Sequence, residues 1–378
     1  MKSISFVKEN CIDEYRTILT PERVKDYLKE GFTVYAEKGI GQGIGLEDKA
    51  YKAAGAKMVN HEQSWTISDF VVKYKAPEKE DYKYFRPELH FASFLHAEGD
   101  YALSMALVNS GMTAYAYEFV TTPDHMSPIS IAPAEVAGKL AVFFGAYYLL
   151  AHKGGCGKLL ANIPGASQCK IVIIGYGDAG NVAVRTASSL GAKVVVFGRN
   201  MIKLRKFQAT VSPEVECYVN TSEKLAKEIK DADLVIGAIL ISTFDTEPII
   251  TEKMVKSMKK GSVIIDVTAG YGSGYIQTFD QNTSLEEPVF EKFGVLHCKI
   301  DNICAASAIT SSESTEKLVM PILIEHAKKL YGVIENKSML ETGLICRNGK
   351  FEHPELIRHM AMYERKSRWT PCRIEQEN

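Results

Sequence analysis

Apolar residues along this chain follow two rhythms. Short unbroken runs rich in β-branched residues alternate with longer stretches in which apolar side chains recur every three or four positions. The first kind, at residues 4–7, 33–36, 70–73, 89–95, 171–174, 193–197, 234–238 and 263–267, predicts strands, the most apolar of them buried on both faces. The second kind predicts helices at 21–30, 48–54, 100–109, 134–152, 181–190 and 314–330. Thr20-Pro21-Glu22 offers a capping hydroxyl followed by proline at the first helical position. Gly31, Gly55, Gly111 and Gly191 each stand where a helix should stop, and Gly154-Gly155 breaks the long one. Strand and helix alternate on both sides of residue 130, which predicts parallel sheets wrapped by helices.

One stretch carries more than a fold. Lys170 to Gly180 reads KIVIIGYGDAG, a buried strand running into Gly175, Gly177 and Gly180 at G-x-G-x-x-G spacing, with a helix and a second strand after it. Gly175 permits the tight turn, Gly177 lets backbone approach a pyrophosphate, and Gly180 lets helix and strand pack closely. Asp178 and Ala179 sit between them, where helix N–H groups would meet phosphate. The expected fold class is therefore α/β, with two Rossmann-like doubly wound domains. Residues 129–309 form the dinucleotide-binding domain, while 1–128 and 310–378 form a discontinuous substrate domain joined by long crossing helices. At the end of the second strand, where NAD-binding units place a carboxylate for the ribose, the chain reads Gly198-Arg199-Asn200, with Lys203 and Arg205 close by. A cation there attracts a 2′-phosphate, so NADP(H) is the favoured cofactor, with NAD(H) as the alternative.

Composition narrows the partners. The 378 residues are 46% hydrophobic with a formal net charge of −1, so nothing points to nucleic acid or an acidic membrane. No window is long and apolar enough for a membrane span, and the N-terminal apolar run is too short for a signal peptide. Eight cysteines without a C-x-x-C pair, and nine histidines without zinc spacing, predict free thiols, no metal site and a cytoplasmic protein. The sequence from Lys366 onward is charged and expected to be loose.

Several stretches then bear a resemblance together: Glu14-Tyr15-Arg16 before Thr20-Pro21, Val72-Lys73-Tyr74-Lys75-Ala76-Pro77, Phe94-Leu95-His96, Glu135-Val136-Ala137-Gly138, Ile163-Pro164-Gly165, Ala232-Asp233-Leu234-Val235-Ile236-Gly237-Ala238 and Ile264-Ile265-Asp266-Val267. With the glycines, they resemble the alanine dehydrogenase and transhydrogenase NAD-binding family, which includes carboxyethylornithine synthase and, distantly, saccharopine dehydrogenase. The resemblance implies an active site in a cleft between two domains, hydride transfer to or from the α-carbon of an amino acid through an imine, and a homo-oligomer. It implies that Arg16 and Lys75 bind the substrate carboxylate and that His96 is the acid/base, while Lys203, Thr221, Ile239 and Asn302 contact cofactor. The residue types suit this chemistry. Imidazole exchanges protons near neutral pH, and a guanidinium or ammonium holds a carboxylate. Taken singly, each has a commoner structural explanation: a surface arginine, a solvated lysine, a hydrogen-bonded histidine.

The chain also departs from the family. Alanine dehydrogenases carry a catalytic Asp four residues after the one matching Asp266, and this chain has Gly270 there. Cys304 stands where a proline is common. A substrate larger than alanine, such as an N-(carboxyalkyl) amino acid, is therefore expected, with Lys75 and His96 sharing the proton traffic as the saccharopine branch implies. Tyr271 is a candidate replacement hydroxyl at the substrate. The competing expectation is a cofactor-binding or regulatory homologue without turnover.

Overall fold

The computed structural model describes residues 2–239, 247–268 and 274–369, with side chains described up to Tyr363. Gly270, Tyr271 and the residues after Trp369 lie outside that set, including most of the charged tail beyond Lys366. The chain divides into two compact units, residues 1–130 with 308–378, and residues 131–307. In chain order the strands are β1 (Ser3–Phe6), β2 (Thr33–Glu37), β3 (Lys57–Val59), β4 (Phe70–Lys75), β5 (His90–Phe94), β6 (Thr113–Ala116), β7 (Lys170–Ile174) and β8 (Lys193–Gly198). They continue with β9 (Glu216–Val219), β10 (Leu234–Gly237), β11 (Val263–Asp266), β12 (Phe290–Lys292), β13 (Val295–Cys298), β14 (Leu344–Arg347) and β15 (Lys350–Phe351).

Among the described residues the first unit holds an eight-stranded sheet in the order β15-β14-β6-β5-β4-β1-β2-β3. Its strands read as apolar runs because both faces are covered. Phe6, Tyr27, Phe70 and Tyr74 pack on one side, and Trp65, Val71, Phe91 and Leu107 on the other. Each such buried side chain is worth roughly 1.5–3 kcal/mol. The sheet is not wholly parallel, as the alternation predicted: β14 runs antiparallel to β6, and β15 antiparallel to β14. A short hairpin through Asn348 and Gly349, both at positive φ, makes that return without a crossover helix.

Among the described residues the second unit holds a seven-stranded sheet in the order β12-β13-β11-β10-β7-β8-β9, parallel except at β12. Chain direction reverses its sideways progress between β7 and β10, and such a switch point opens a crevice beyond the strand ends. Two boundaries differ from the sequence reading. The long helix spans Ile131–Tyr148, so Pro133 falls within its first turn rather than ahead of it. There its missing N–H is no loss, because first-turn amides have no partner inside the helix. The last long helix, Ala308–Leu330, starts six residues earlier than its apolar spacing indicated. Thr20 also departs from expectation. It makes no side-chain cap to the helix Pro21–Lys29 and instead donates its hydroxyl to Glu316 at 2.6 Å.

Candidate active site

The glycine turn is built from missing carbons. Gly175 has φ +105°, and a Cβ there would sit 2.2 Å from the Ala238 carbonyl oxygen at the end of β10. A Cβ on Gly180 would sit 2.2 Å from the Gly175 carbonyl oxygen, whereas one on Gly177 would meet nothing within 4 Å. Gly138 has the same logic: it lets the helix Ile131–Tyr148 press against Ala179, whose carbonyl oxygen would lie 2.2 Å from a Cβ. The helix after the turn begins at Asp178, not at Asn181 as its spacing suggested, so Asp178 and Ala179 belong to its first turn. Its N-cap is Gly177, which has no side chain to cover the first amides. Free N–H groups at a helix start, with open space above Gly177, fit the diphosphate of a dinucleotide.

The other cofactor candidates collect along the same sheet edge. Gly198 ends β8 and Arg199 follows it, exposed. Lys203 lies in the first turn of the helix Met201–Gln208, its amide bonded to Asn200 Oδ1. Thr221 follows β9 and caps the next helix through the Lys224 amide at 3.3 Å. Ile239 comes two residues after β10 and Asn302 four after β13. All these strands run parallel, so their ends share one edge.

That edge is fixed by a buried polar network the sequence did not disclose. Asp266 Oδ1, at the end of β11, accepts from the Thr268 amide at 3.0 Å and the Tyr275 hydroxyl at 3.1 Å. Its other oxygen lies 3.4 Å from Lys299 Nζ. Burial raises the Asp266 carboxyl pKa and Lys299 opposes that rise. Thr268 Oγ1 donates to the Ile239 carbonyl at 2.9 Å, tying the end of β10 to that of β11.

In the first unit, Lys75 and His96 come together at neighbouring strand ends. β4 extends two residues beyond the predicted stop, so Lys75 lies in the strand, paired in register with Phe94 of β5. His96 follows two residues later in left-handed backbone, φ +45° and ψ +34°, its ring stacked on Phe94 at 6.4 Å between centroids. A third of its side chain is exposed. Glu118 pins this corner by accepting from the Leu95 amide at 3.2 Å and the His96 amide at 2.5 Å. Glu98 and Glu118 oxygens lie 3.9 and 4.0 Å from His96 Nδ1. Burial works against a proton on the ring, but the two carboxylates outweigh it and Lys75 offsets them only in part, leaving the pKa above the ordinary 6.5. Burial raises the Glu118 carboxyl; burial pushes Glu98 the same way, but the nearby imidazole outweighs it and holds that carboxyl low.

Arg16 is not the surface residue its type would suggest. It is 5% exposed, in the loop after β1, and Glu14 takes two of its donors: Nε to Oε1 at 2.6 Å and Nη2 to Oε2 at 2.5 Å. Its guanidinium also lies 4.3 Å above the Tyr74 ring, and Nη1 points at the Tyr74 hydroxyl at 3.4 Å. Tyr74 precedes Lys75 and its ring lies 5.7 Å from Phe94, so Arg16, Tyr74, Phe94 and His96 form one packed line. Glu14, Glu98 and Glu118 were missed as partners. Only the closeness of Glu14 to Arg16 and of Glu98 to His96 gave any signal.

Among the described residues no group of three or more His, Cys, Asp or Glu could hold a metal, and no disulfide joins the seven described cysteines. Among the described residues no helix is long and apolar enough to cross a membrane.

Parallel strands, a switch point and a glycine turn feeding an uncapped helix define the class: an α/β dinucleotide-binding protein with a second α/β unit. The comparisons make the class specific. Residues 5–136 match the family described as alanine dehydrogenase/PNT, N-terminal domain, and residues 141–354 its C-terminal domain. The chain belongs to the alanine dehydrogenase/PNT family and is an alanine dehydrogenase-like, nicotinamide-dependent oxidoreductase. It is 35% identical to alanine dehydrogenase of Methanococcus maripaludis over 350 residues, 92% of this chain and 93% of that protein. The figure is also 35% for the alanine dehydrogenase of Bacillus subtilis, over 94% of each chain. A solved L-alanine dehydrogenase superposes with a TM-score of 0.87 at 30% identity, covering 95% of this chain and 99% of that one.

Proposed function

We propose that this protein transfers hydride between a nicotinamide cofactor and the α-carbon of an amino acid, using His96 as acid/base with Lys75 and Arg16 as carboxylate binders. The observation that carries the reading is the pairing of Lys75 and His96 at adjacent strand ends, with two carboxylates behind the imidazole. An imidazole tuned upward can give a proton to a 2-oxo acid oxygen during imine formation, and can take one from an ammonium or water in reverse. Lys75 supplies an ammonium for the substrate carboxylate. Glu14 and Tyr74 hold the Arg16 guanidinium in a fixed orientation, the order in which a fork binds a carboxylate. Cofactor, when bound, supplies or accepts the hydride. Gly175, Gly177, Asp178, Ala179 and Gly180 would hold its diphosphate, with Thr221, Ile239 and Asn302 along the same edge.

The finer reading is that NADP(H) is preferred, since Gly198 carries no acid and Arg199 with Lys203 brings positive charge. NAD(H) is the alternative. Gly270, in place of the family's Asp, supports a substrate other than alanine, formed from a 2-oxo acid and an amino-acid amine. One matrix tests both points: pyruvate with ammonia, ornithine or lysine, each under NADPH and NADH. Turnover is expected to be highest with NADPH and an amino-acid amine. Highest kcat/KM with ammonia and NADH would make the protein an ordinary alanine dehydrogenase.

A further inference from the structure

The residue between the first two glycines of the turn is Tyr176, and its ring lies over Gly198. A Cβ built on Gly198 would sit 2.0 Å from Tyr176 Cε1, 2.6 Å from Cδ1 and 3.2 Å from Cζ. The backbone at Gly198 does not itself ask for glycine. The residue ends β8 in ordinary strand backbone, in register with Val219, and its φ is not left-handed. The absence of a side chain at 198 is therefore set by space, and the space is taken by one aromatic ring. That ring is itself held in place. Its hydroxyl donates to the Asn200 carbonyl at 3.3 Å and its face tilts against Phe207, 5.5 Å between centroids.

The end of the second strand is where a dinucleotide-binding unit presents a carboxylate to the adenosine ribose. Here a carboxylate at 198 and the ring of Tyr176 compete for one volume. We propose that Tyr176 is a specificity-determining residue for the cofactor. By filling the place of the acid it keeps negative charge away from the ribose, and so leaves exposed Arg199 as the charged group nearest a 2′-phosphate. The inference rests on the dinucleotide reading above and adds a residue the glycine motif itself does not specify.

The test is a mutant cycle with two readouts. Gly198→Ala adds only the clashing carbon, Gly198→Asp adds the acid as well, and Tyr176→Ala removes the ring, alone and with each. Thermal unfolding of the cofactor-free protein reads the competition for space. Affinity for NADPH and NADH, from cofactor fluorescence, reads selectivity. Both substitutions at 198 are expected to lower Tm when Tyr176 is present and much less when it is absent. The Gly198→Asp, Tyr176→Ala double variant is expected to shift the NADH-to-NADPH affinity ratio toward NADH by at least about tenfold, the scale of one charge-assisted hydrogen bond. Additive melting shifts would overturn the proposal, as would a double variant with unchanged selectivity or a Gly198→Asp single variant that switches as fully as the double. In each of those cases wild-type binding of either cofactor leaves the dinucleotide reading intact. Wild-type protein that binds neither cofactor defeats the reading itself, and the proposal with it.

Discussion

The glycine turn of the second unit and the His96 corner of the first solve the same problem in opposite ways. Both sit just past the ends of parallel strands, where backbone leaves the sheet and can face a ligand. The turn gets its shape by omission: Gly175, Gly180 and Gly138 each make room for a carbonyl oxygen that any Cβ would strike at 2.2 Å. The corner gets its shape by addition: Glu118 fastens two amides, Glu98 approaches the imidazole, and Lys75 stands on the next strand. A region shaped by absent atoms has little tolerance for growth. A region shaped by charges tolerates small changes of volume but answers to pH and to the loss of any single partner.

The largest expected effect lies at the corner. His96→Ala should cut kcat by about 10²–10⁴-fold while leaving cofactor affinity within about twofold, as expected of a general acid/base. In the wild type, the limb of the pH profile due to His96 should fall above 6.5, because the net effect of its surroundings is to favour the proton. Activity surviving at more than a tenth of normal would remove His96 from the chemistry.

Next come the glycines, which split the turn into scaffold and ligand surface. Gly180→Ala should cost about 1–3 kcal/mol of stability, because its methyl group meets backbone that cannot yield. Gly177→Ala should cost the cofactor-free protein less, about 0.5–1 kcal/mol, because Ala caps a helix less well than Gly but its methyl meets nothing within 4 Å. It should still weaken cofactor binding, since its methyl enters the open space above the turn. Denaturant titration and cofactor binding on both variants check this. Equal behaviour would erase the distinction.

The smallest effect on activity is expected from a stability term in the first unit, away from His96. Glu316 is buried, accepts from the Thr20 amide at 2.7 Å, and burial pushes its carboxyl from 4.5 up to about 7. Folded protein therefore holds a proton that unfolded protein releases between those values. Stability from this group is present below pH 4.5 and is lost as pH rises to about 7, by at most about 3 kcal/mol. Glu316→Gln should flatten that slope, with the variant gaining Tm relative to wild type at pH 8 but not at pH 4.5. Parallel pH profiles for the two proteins would exclude the assignment.

What could be read from the chain follows the same division. A motif made of omitted carbons must sit on contiguous residues, so Gly175, Gly177 and Gly180 were visible at once, and the flanking apolar runs placed them after a strand and before a helix. The partners of charged groups are brought in by topology. Glu118 reaches His96 only because β6 lies beside β5, and Lys299 reaches Asp266 only because β13 lies beside β11. Lys75 read as a residue beyond its strand, because lysine and tyrosine end an apolar run; in the structure β4 continues through both. Arg16 stood out by its resemblance to the family, but its bond to Glu14 changes how it should be tested. Arg16→Ala would leave a buried carboxylate without its cation, a loss of roughly 3–5 kcal/mol, so weakened activity in that variant would not report substrate binding alone.

The left-handed backbone at His96 bears on which replacements are informative there. Histidine, asparagine and aspartate adopt that conformation more readily than other non-glycine residues, whereas valine or isoleucine would strain it. Asparagine thus offers a swap that silences proton exchange while keeping the hairpin-tight bend, and a branched residue would wreck the bend before any question of reactivity arose.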